Sequence, residues 1–378
     1  MPCLGRHRFQ LVQQSRSTKA NTFLLILLAL LLCFTTAIEG FSPVSKHSRI
    51  QQRTTTIDRN HINDKFRQGA LLPHESRGGK WLRPITELRG GFMLPQMDNP
   101  FWKSIGIYAV CDFIIGLFLS VFTGSHLHLD LIGSGAFAMA ALPYLWSTIA
   151  HIRWSSAAVF LWGTKLALFL FYRAIQVKHD VRLTDLLSTP QGSFQFWFVT
   201  FVWNLMVSLP YLFGLQSDRD SNLALVSGGA LYLLGLTIET LADAQKYFFK
   251  QQLSSTTGSQ FCNIGLWKYS QHPNWFGNLL LWTGILVMNF PALIEPLPVI
   301  TSGTDNGIVG DFLLRLWSIR KLILACLGPG FLWILFNGQA TGNITNTVEL
   351  ANSKYGKNSE YIKYIKEVPL IIPKIFSQ

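Results

Sequence analysis

Seven apolar runs govern what this chain can become. They cover 104–123, 131–150, 155–175, 194–215, 222–241, 276–296 and 322–338. Most hold about twenty residues, enough to cross a bilayer as helix. Lipid offers no partners to a strand's free backbone groups, so a crossing segment folds as helix. The expected fold is therefore all-α, a polytopic transmembrane helical bundle of about seven spans. The last run is short, and 307–319 before it is expected at the membrane interface. Small residues recur inside the runs, among them Gly133, Gly135, Gly228, Gly229 and Gly235. They allow helices to approach closely in a bilayer. No repeat at a fixed period is visible, which disfavours an inverted-repeat transporter.

Composition agrees. Only 14% of residues are charged, against about 25% in ordinary globular domains. The 28 Phe and 12 Trp suit a chain that meets lipid and its interfaces. The formal net charge of +12 is concentrated in the first ninety residues and in loops beside the apolar runs. No basic-aromatic groove accompanies it, so no nucleic-acid partner is expected. The five cysteines are scattered without a CxxC, which gives neither a disulfide framework nor a metal site.

The N-terminal region reads as an address in two parts. Residues 23–38 are apolar and follow Arg6, Arg8, Arg16 and Lys19, the layout of a signal peptide over 1–40. A retained signal anchor is the alternative. Residues 41–91 carry ten Lys and Arg against four acids, with many Ser, Thr and Gln and no apolar period. Such a segment buries too little surface to fold and has a transit-peptide composition. The junction AIEGFSP resembles the cleavage region of the two-part plastid presequence of algae with secondary plastids. A plastid membrane is the location implied, with an endoplasmic-reticulum protein bearing a disordered arm as the alternative. The remainder, 92–378, is the membrane domain.

Seven spans sort the loops onto two faces. One receives 176–193, 242–275 and the tail 339–378, with ten Lys and Arg. The other receives 151–154, 216–221 and 297–321, with five. The first face is expected to be cytoplasm-like, or stromal in a plastid.

Three stretches on that face carry chemistry. At the end of the fifth run, Glu239 and Asp243 stand at i and i+4 on one helix face. A carboxylate within a run is costly in lipid, so Glu239 should face the bundle interior or a cavity. The alternative is a carboxylate snorkelling at the interface or paired with Lys246. The second stretch is GLWKYSQHPNWFGN, 265–278. Pro273 disfavours helix at His272, so a turn enters the sixth span. It offers an imidazole, the amides of Asn274 and Asn278, and the free N–H groups of a helix start, which bind anions. Tyr269 is a candidate phenolic proton donor. The third is the tail, where Tyr355, Tyr361 and Tyr364 stand among lysines, either as a surface helix or folded back over the active face.

Together these motifs resemble the membrane family with the steroid 5-alpha-reductase C-terminal signature, over 155–376. The matching elements are GLWKYSQHPNWFGN, then Glu239, Ala242, Asp243 and Gln245, and the tail pattern through Tyr355, Tyr361, Tyr364 and Pro373. The resemblance implies NADPH-dependent reduction of a carbon–carbon double bond conjugated to a carbonyl in a lipid-like substrate. It implies catalytic roles for Glu239, Tyr269 and His272. It implies cofactor contacts from Asp243, Gln245, Lys268, Gln271, Asn274, Gly277, Asn278, Tyr355 and Tyr361. Isoprenylcysteine carboxyl methyltransferases share the turn and use S-adenosylmethionine, so that cofactor is the alternative. A catalytically degenerate membrane scaffold is a third reading. The sequence departs from the family at Gln271, where Arg is usual, and at Asn278, where Glu is usual. The first change removes a bidentate phosphate contact, and the second removes a charge.

Overall fold

The computed structural model describes residues 99–177, 183, 186–253, 261–297, 307–344 and 347–374. The two-part address expected at 1–91 lies outside the described residues, as do parts of the loops. Every described element is a helix.

Helix α1 spans Pro100–Thr123. Asn99 caps it by accepting from Phe101 N at 2.9 Å, with Pro100 preset for the first turn. Its middle, Val110–Gly116, is wound as π-helix. Helix α2 is Leu129–Ala141, prolonged by a 3-10 turn to Tyr144. The expected run to residue 150 stops early because Pro143 sits in that turn. At about 25 Å this element is shorter than the hydrocarbon core. The other traverses are α3, Ala150–Val177; α4, Pro190–Gly214; α5, Asn222–Leu253; α6, Pro273–Leu293; and α8, Arg320–Ala340. Thus among the described residues six helices are long and apolar enough to cross a membrane, with α2 as a shorter apolar helix beside them. Between α6 and α8 lies α7, Gly307–Ser318. The tail forms α9, Thr347–Tyr355, and α10, Ser359–Glu367.

Named contacts fix the weave. Tyr144 donates to Pro100 O at 3.1 Å, and Ser120 meets His128 at 2.9 Å, so α2 returns alongside α1. Trp197 donates to Ser120 at 2.8 Å while Phe213 packs on Phe101, so α4 is also antiparallel to α1. His151 at the start of α3 reaches Gly214 O at the end of α4. Glu295 after α6 is bound by Arg320 and Lys321 at the start of α8. The loops therefore alternate between two faces, and 242–275 and the tail share one of them, as the sequence suggests.

The tightest crossing is α5 on α6. A Cβ at Gly235 would lie 2.5 Å from Gly277 O, and one at Gly228 would lie 2.6 Å from Gly284 O. Glycines seven residues apart on each helix bring the two backbones together. At the bundle centre Phe137, Trp162 and Trp282 pack in mutual contact, with Trp162 and Trp282 T-shaped at 5.1 Å. Outside, Ile114, Phe122, Leu223 and Ile334 are more than 60% exposed. A surface so apolar is stable against lipid.

Candidate functional site

The α5–α6 crossing aligns two polar pairs. Because the helices are antiparallel, Glu239 and Asp243 on α5 face Asn278 and Asn274 on α6 in reversed order. Asn278 Nδ2 donates to Glu239 Oε1 at 3.0 Å, and Asn274 Nδ2 donates to Asp243 Oδ1 at 3.1 Å. Helix α3 supplies the other side. Trp162 Nε1 donates to Glu239 Oε2 at 3.1 Å. Lys165 Nζ lies 3.3 Å from Glu239 and 3.6 Å from Asp243. Glu239 is only 4% exposed. An isolated carboxylate at that depth would be very costly, and these three donors are what make it tolerable.

One turn beyond Asp243, α5 leaves the seam and enters the polar face. Lys246 Nζ sits 4.1 Å from the centre of the Trp267 ring. Trp267 is itself fixed by donating to Ala242 O at 3.0 Å. The Gly265–Lys268 turn is held by Gln245, whose Oε1 accepts from Leu266 N at 2.9 Å. Gly265 is at φ 53, a left-handed conformation. His272 ends the turn in a non-helical conformation and stacks on Trp275 at 3.9 Å, which stacks on Phe336 of α8.

The tail closes over this turn. Gln271 donates through Nε2 to Ile365 O and Val368 O, and through its backbone N to Pro369 O. Ser270 Oγ donates to Ile371 O at 2.7 Å. Tyr364 donates to Trp267 O at 2.8 Å. Of the two expected arrangements of the tail, the one folded back over the face is present.

Between turn, tail and the end of α5 lies a cavity of about 750 Å³. That is within the range of small-molecule and cofactor sites. Lys246, Lys250 and Lys354 line it together with Trp267, His272 and Tyr361, and none of its described lining residues is Asp or Glu. Among the described residues, neither Lys246 nor Lys250 has a carboxylate partner within ion-pair distance. Burial, reinforced by the nearby Lys246 charge, pushes His272 down to about 3. Its imidazole is therefore neutral near pH 7. Burial pushes the Tyr361 and Tyr364 phenols up, so both stay protonated.

The expected site residues divide. His272, Gln271, Tyr355 and Tyr361 line the cavity. Glu239, Asp243, Asn274 and Asn278 form the seam beside it, and none is among the lining residues. His272 lines this cavity and Glu239 does not: Trp162, Lys165 and Asn278 surround the carboxylate. Tyr269 is 57% exposed and is not among the cavity-lining residues, whereas Tyr355, Tyr361 and Tyr364 are. Lys268 is exposed. Gly277 serves the helix crossing and Gln245 the turn. Lys165 and Trp162 join the seam without a motif to mark them, although a lysine inside an apolar run is itself a signal.

No curated protein and no solved structure matches the chain. A family model does match, over residues 116–304, which is half of the sequence. It includes the whole seam and the Pro273 turn but not the tail. The chain belongs to the DUF1295 family of proteins of unknown function.

Proposed function

We propose that the protein is a membrane reductase that uses NADPH to reduce a carbon–carbon double bond conjugated to a carbonyl in a lipid-like substrate. The observation that supports this is the lysine-lined cavity of about 750 Å³, which has no Asp or Glu among its described lining residues. NADPH carries a pyrophosphate and a further phosphate, and cations are what such groups require. When bound, the nicotinamide supplies a hydride. Lys246 and Lys250 fit the phosphates. Tyr361 is the candidate to donate a proton to the carbonyl oxygen, which stabilises developing enolate charge. The seam positions α5 against α6 and so sets where Lys246 stands.

S-adenosylmethionine fits less well. It has no phosphate and bears a sulfonium cation, which a lysine-lined cavity repels. The likeness of the turn and of the Glu239–Gln245 segment to the steroid 5-alpha-reductase signature supports the same reading. Residues 41–91 support delivery to a plastid membrane with the cavity facing the stroma.

The test is thermal melting of the detergent-solubilised protein with NADPH, NADH or S-adenosylmethionine. NADPH should raise the melting temperature most, and lipids from cells lacking the protein should accumulate an enone. Stabilisation by S-adenosylmethionine alone, with an unmethylated acid accumulating, would overturn the proposal.

A further inference from the structure

Lys268 and Tyr269 belong to the motif before α6, yet neither lines the cavity. Both are exposed, Tyr269 by 57%. The tail runs beside them. Lys374 N donates to Tyr269 O at 3.2 Å, and Gln271 N donates to Pro369 O at 2.9 Å. The segments 269–271 and 369–374 are therefore antiparallel neighbours. Between those two bonds the tail buries Ile371, which is 3% exposed, and leaves Ile372 57% exposed. Lys374 is exposed as well. Lys268, Tyr269, Ile372 and Lys374 all lie within two residues of the Lys374–Tyr269 bond, at most about 7 Å of chain. They form one exposed patch of two apolar side chains and two ammonium groups.

The position of the patch identifies its partner. Helix α6 has 21 residues, and at about 31 Å it is as long as the hydrocarbon core is thick. Its first residue, Pro273, therefore stands at the edge of that core. Tyr269 is four residues earlier, at most about 14 Å of chain, and the headgroup layer beyond the core is about 5–8 Å deep. The patch is thus within reach of the headgroups. A tyrosine ring is suited to that layer. Among the described residues neither Lys268 nor Lys374 forms an ion pair. Unpaired lysines beside apolar side chains complement an anionic lipid surface. We propose that Lys268, Tyr269, Ile372 and Lys374 dock on the anionic leaflet that surrounds α6. The same tail supplies Tyr361, Tyr364, Ile365 and Leu370 to the cavity wall, so the leaflet steadies that wall. The docking does not rest on the reductase reading.

The experiment is hydrogen exchange of the full chain, one copy per nanodisc, in phosphatidylcholine alone or mixed with phosphatidylglycerol. Amides over 268–271 and 370–374 should exchange roughly tenfold more slowly in the anionic discs, and the difference should shrink at high salt. Lys268→Gln combined with Lys374→Gln should remove the difference and leave the melting temperature of the bundle unchanged. Ile372→Ser should speed exchange of the same amides in both lipids. Equal exchange of the wild type in the two lipids would overturn the proposal. So would a difference that survives the double lysine variant, or exchange that ignores Ile372→Ser. Protection that instead rises with protein concentration in detergent, with no lipid present, would assign the patch to a second copy of the chain and overturn it too.

Discussion

Asn278 donates to Glu239 across the α5–α6 crossing at 3.0 Å, one helical turn from the parallel bond between Asn274 and Asp243. Where the family resemblance leads one to expect a glutamate, this chain places an amide donor against a buried carboxylate. The amide removes one negative charge from a seam that has Lys165 as its only ion-paired cation among the described residues.

Removing that cation should be expensive. Lys165→Met leaves Glu239 and Asp243 buried without a counter-charge, a loss of about 3–5 kcal/mol. Adding Glu239→Gln to Lys165→Met should restore part of the stability, because the interacting groups are then removed together. Unfolding in detergent, measured for both single variants and the double, checks this. Simple additivity would show that the pair does not interact.

The glycines of the same crossing give a second expectation. Gly235→Ala forces a methyl to within 2.5 Å of Gly277 O and Leu281 N. The helices must separate, at about 1–3 kcal/mol or more. Gly229→Ala, where a Cβ meets nothing within 4 Å, should be neutral or mildly stabilising. Melting of the two variants side by side separates close packing from a general intolerance of substitution on α5.

Gln271 should behave as a latch. Its side chain holds two tail carbonyls, Ile365 O and Val368 O. Gln271→Ala should loosen the tail by about 1–3 kcal/mol while leaving the bundle intact. Hydrogen exchange over 359–374 should rise, and melting of the transmembrane core should stay close to wild type. Unchanged exchange would mean that Ser270 and Tyr364 alone secure the tail.

These residues mark what the sequence could and could not disclose. The spans were legible because lipid imposes length and polarity on each helix separately. The turn before α6 was legible because Pro273 acts on its immediate neighbour. Glu239 was correctly sent inward, since a carboxylate within an apolar run has nowhere else to go. Its distance from the cavity was not legible. That depends on Trp162 and Lys165, about seventy residues earlier, arriving from α3 to enclose it. Gln271 looked like a lost phosphate contact, and its partners lie about ninety residues later in the tail. Tyr269 is the sequence's candidate proton donor and Tyr361 its candidate cofactor contact, and only tertiary packing leaves the first 57% exposed and sets the second in the cavity lining.

The lysines of the cavity carry the functional reading. Lys246→Ala and Lys250→Ala should each weaken NADPH binding by roughly tenfold, the value of one charge-assisted contact. The effect should shrink at high salt for Lys250 more than for Lys246, whose ammonium lies over Trp267. Titration of NADPH at two ionic strengths checks both points. Full affinity in the double variant would remove the cavity from the proposed function.

The neutral imidazole predicts a pH dependence of stability. An unfolded histidine titrates near 6.5, and burial holds His272 at about 3. Between those values the unfolded chain takes up a proton that the folded chain refuses. Its contribution to stability is therefore complete above about pH 6.5 and is lost as pH falls from there towards 3, by at most about 1.4 kcal/mol per pH unit. Carboxylates titrate in part of the same range, so the informative quantity is a difference. His272→Phe preserves a ring to stack on Trp275 and removes the titrating nitrogen. Melting measured from pH 7.5 to 4.5 should fall more steeply for wild type than for His272→Phe. Parallel curves would show that the imidazole gains its proton inside the folded protein, and so that the cavity admits a charged histidine beside Lys246.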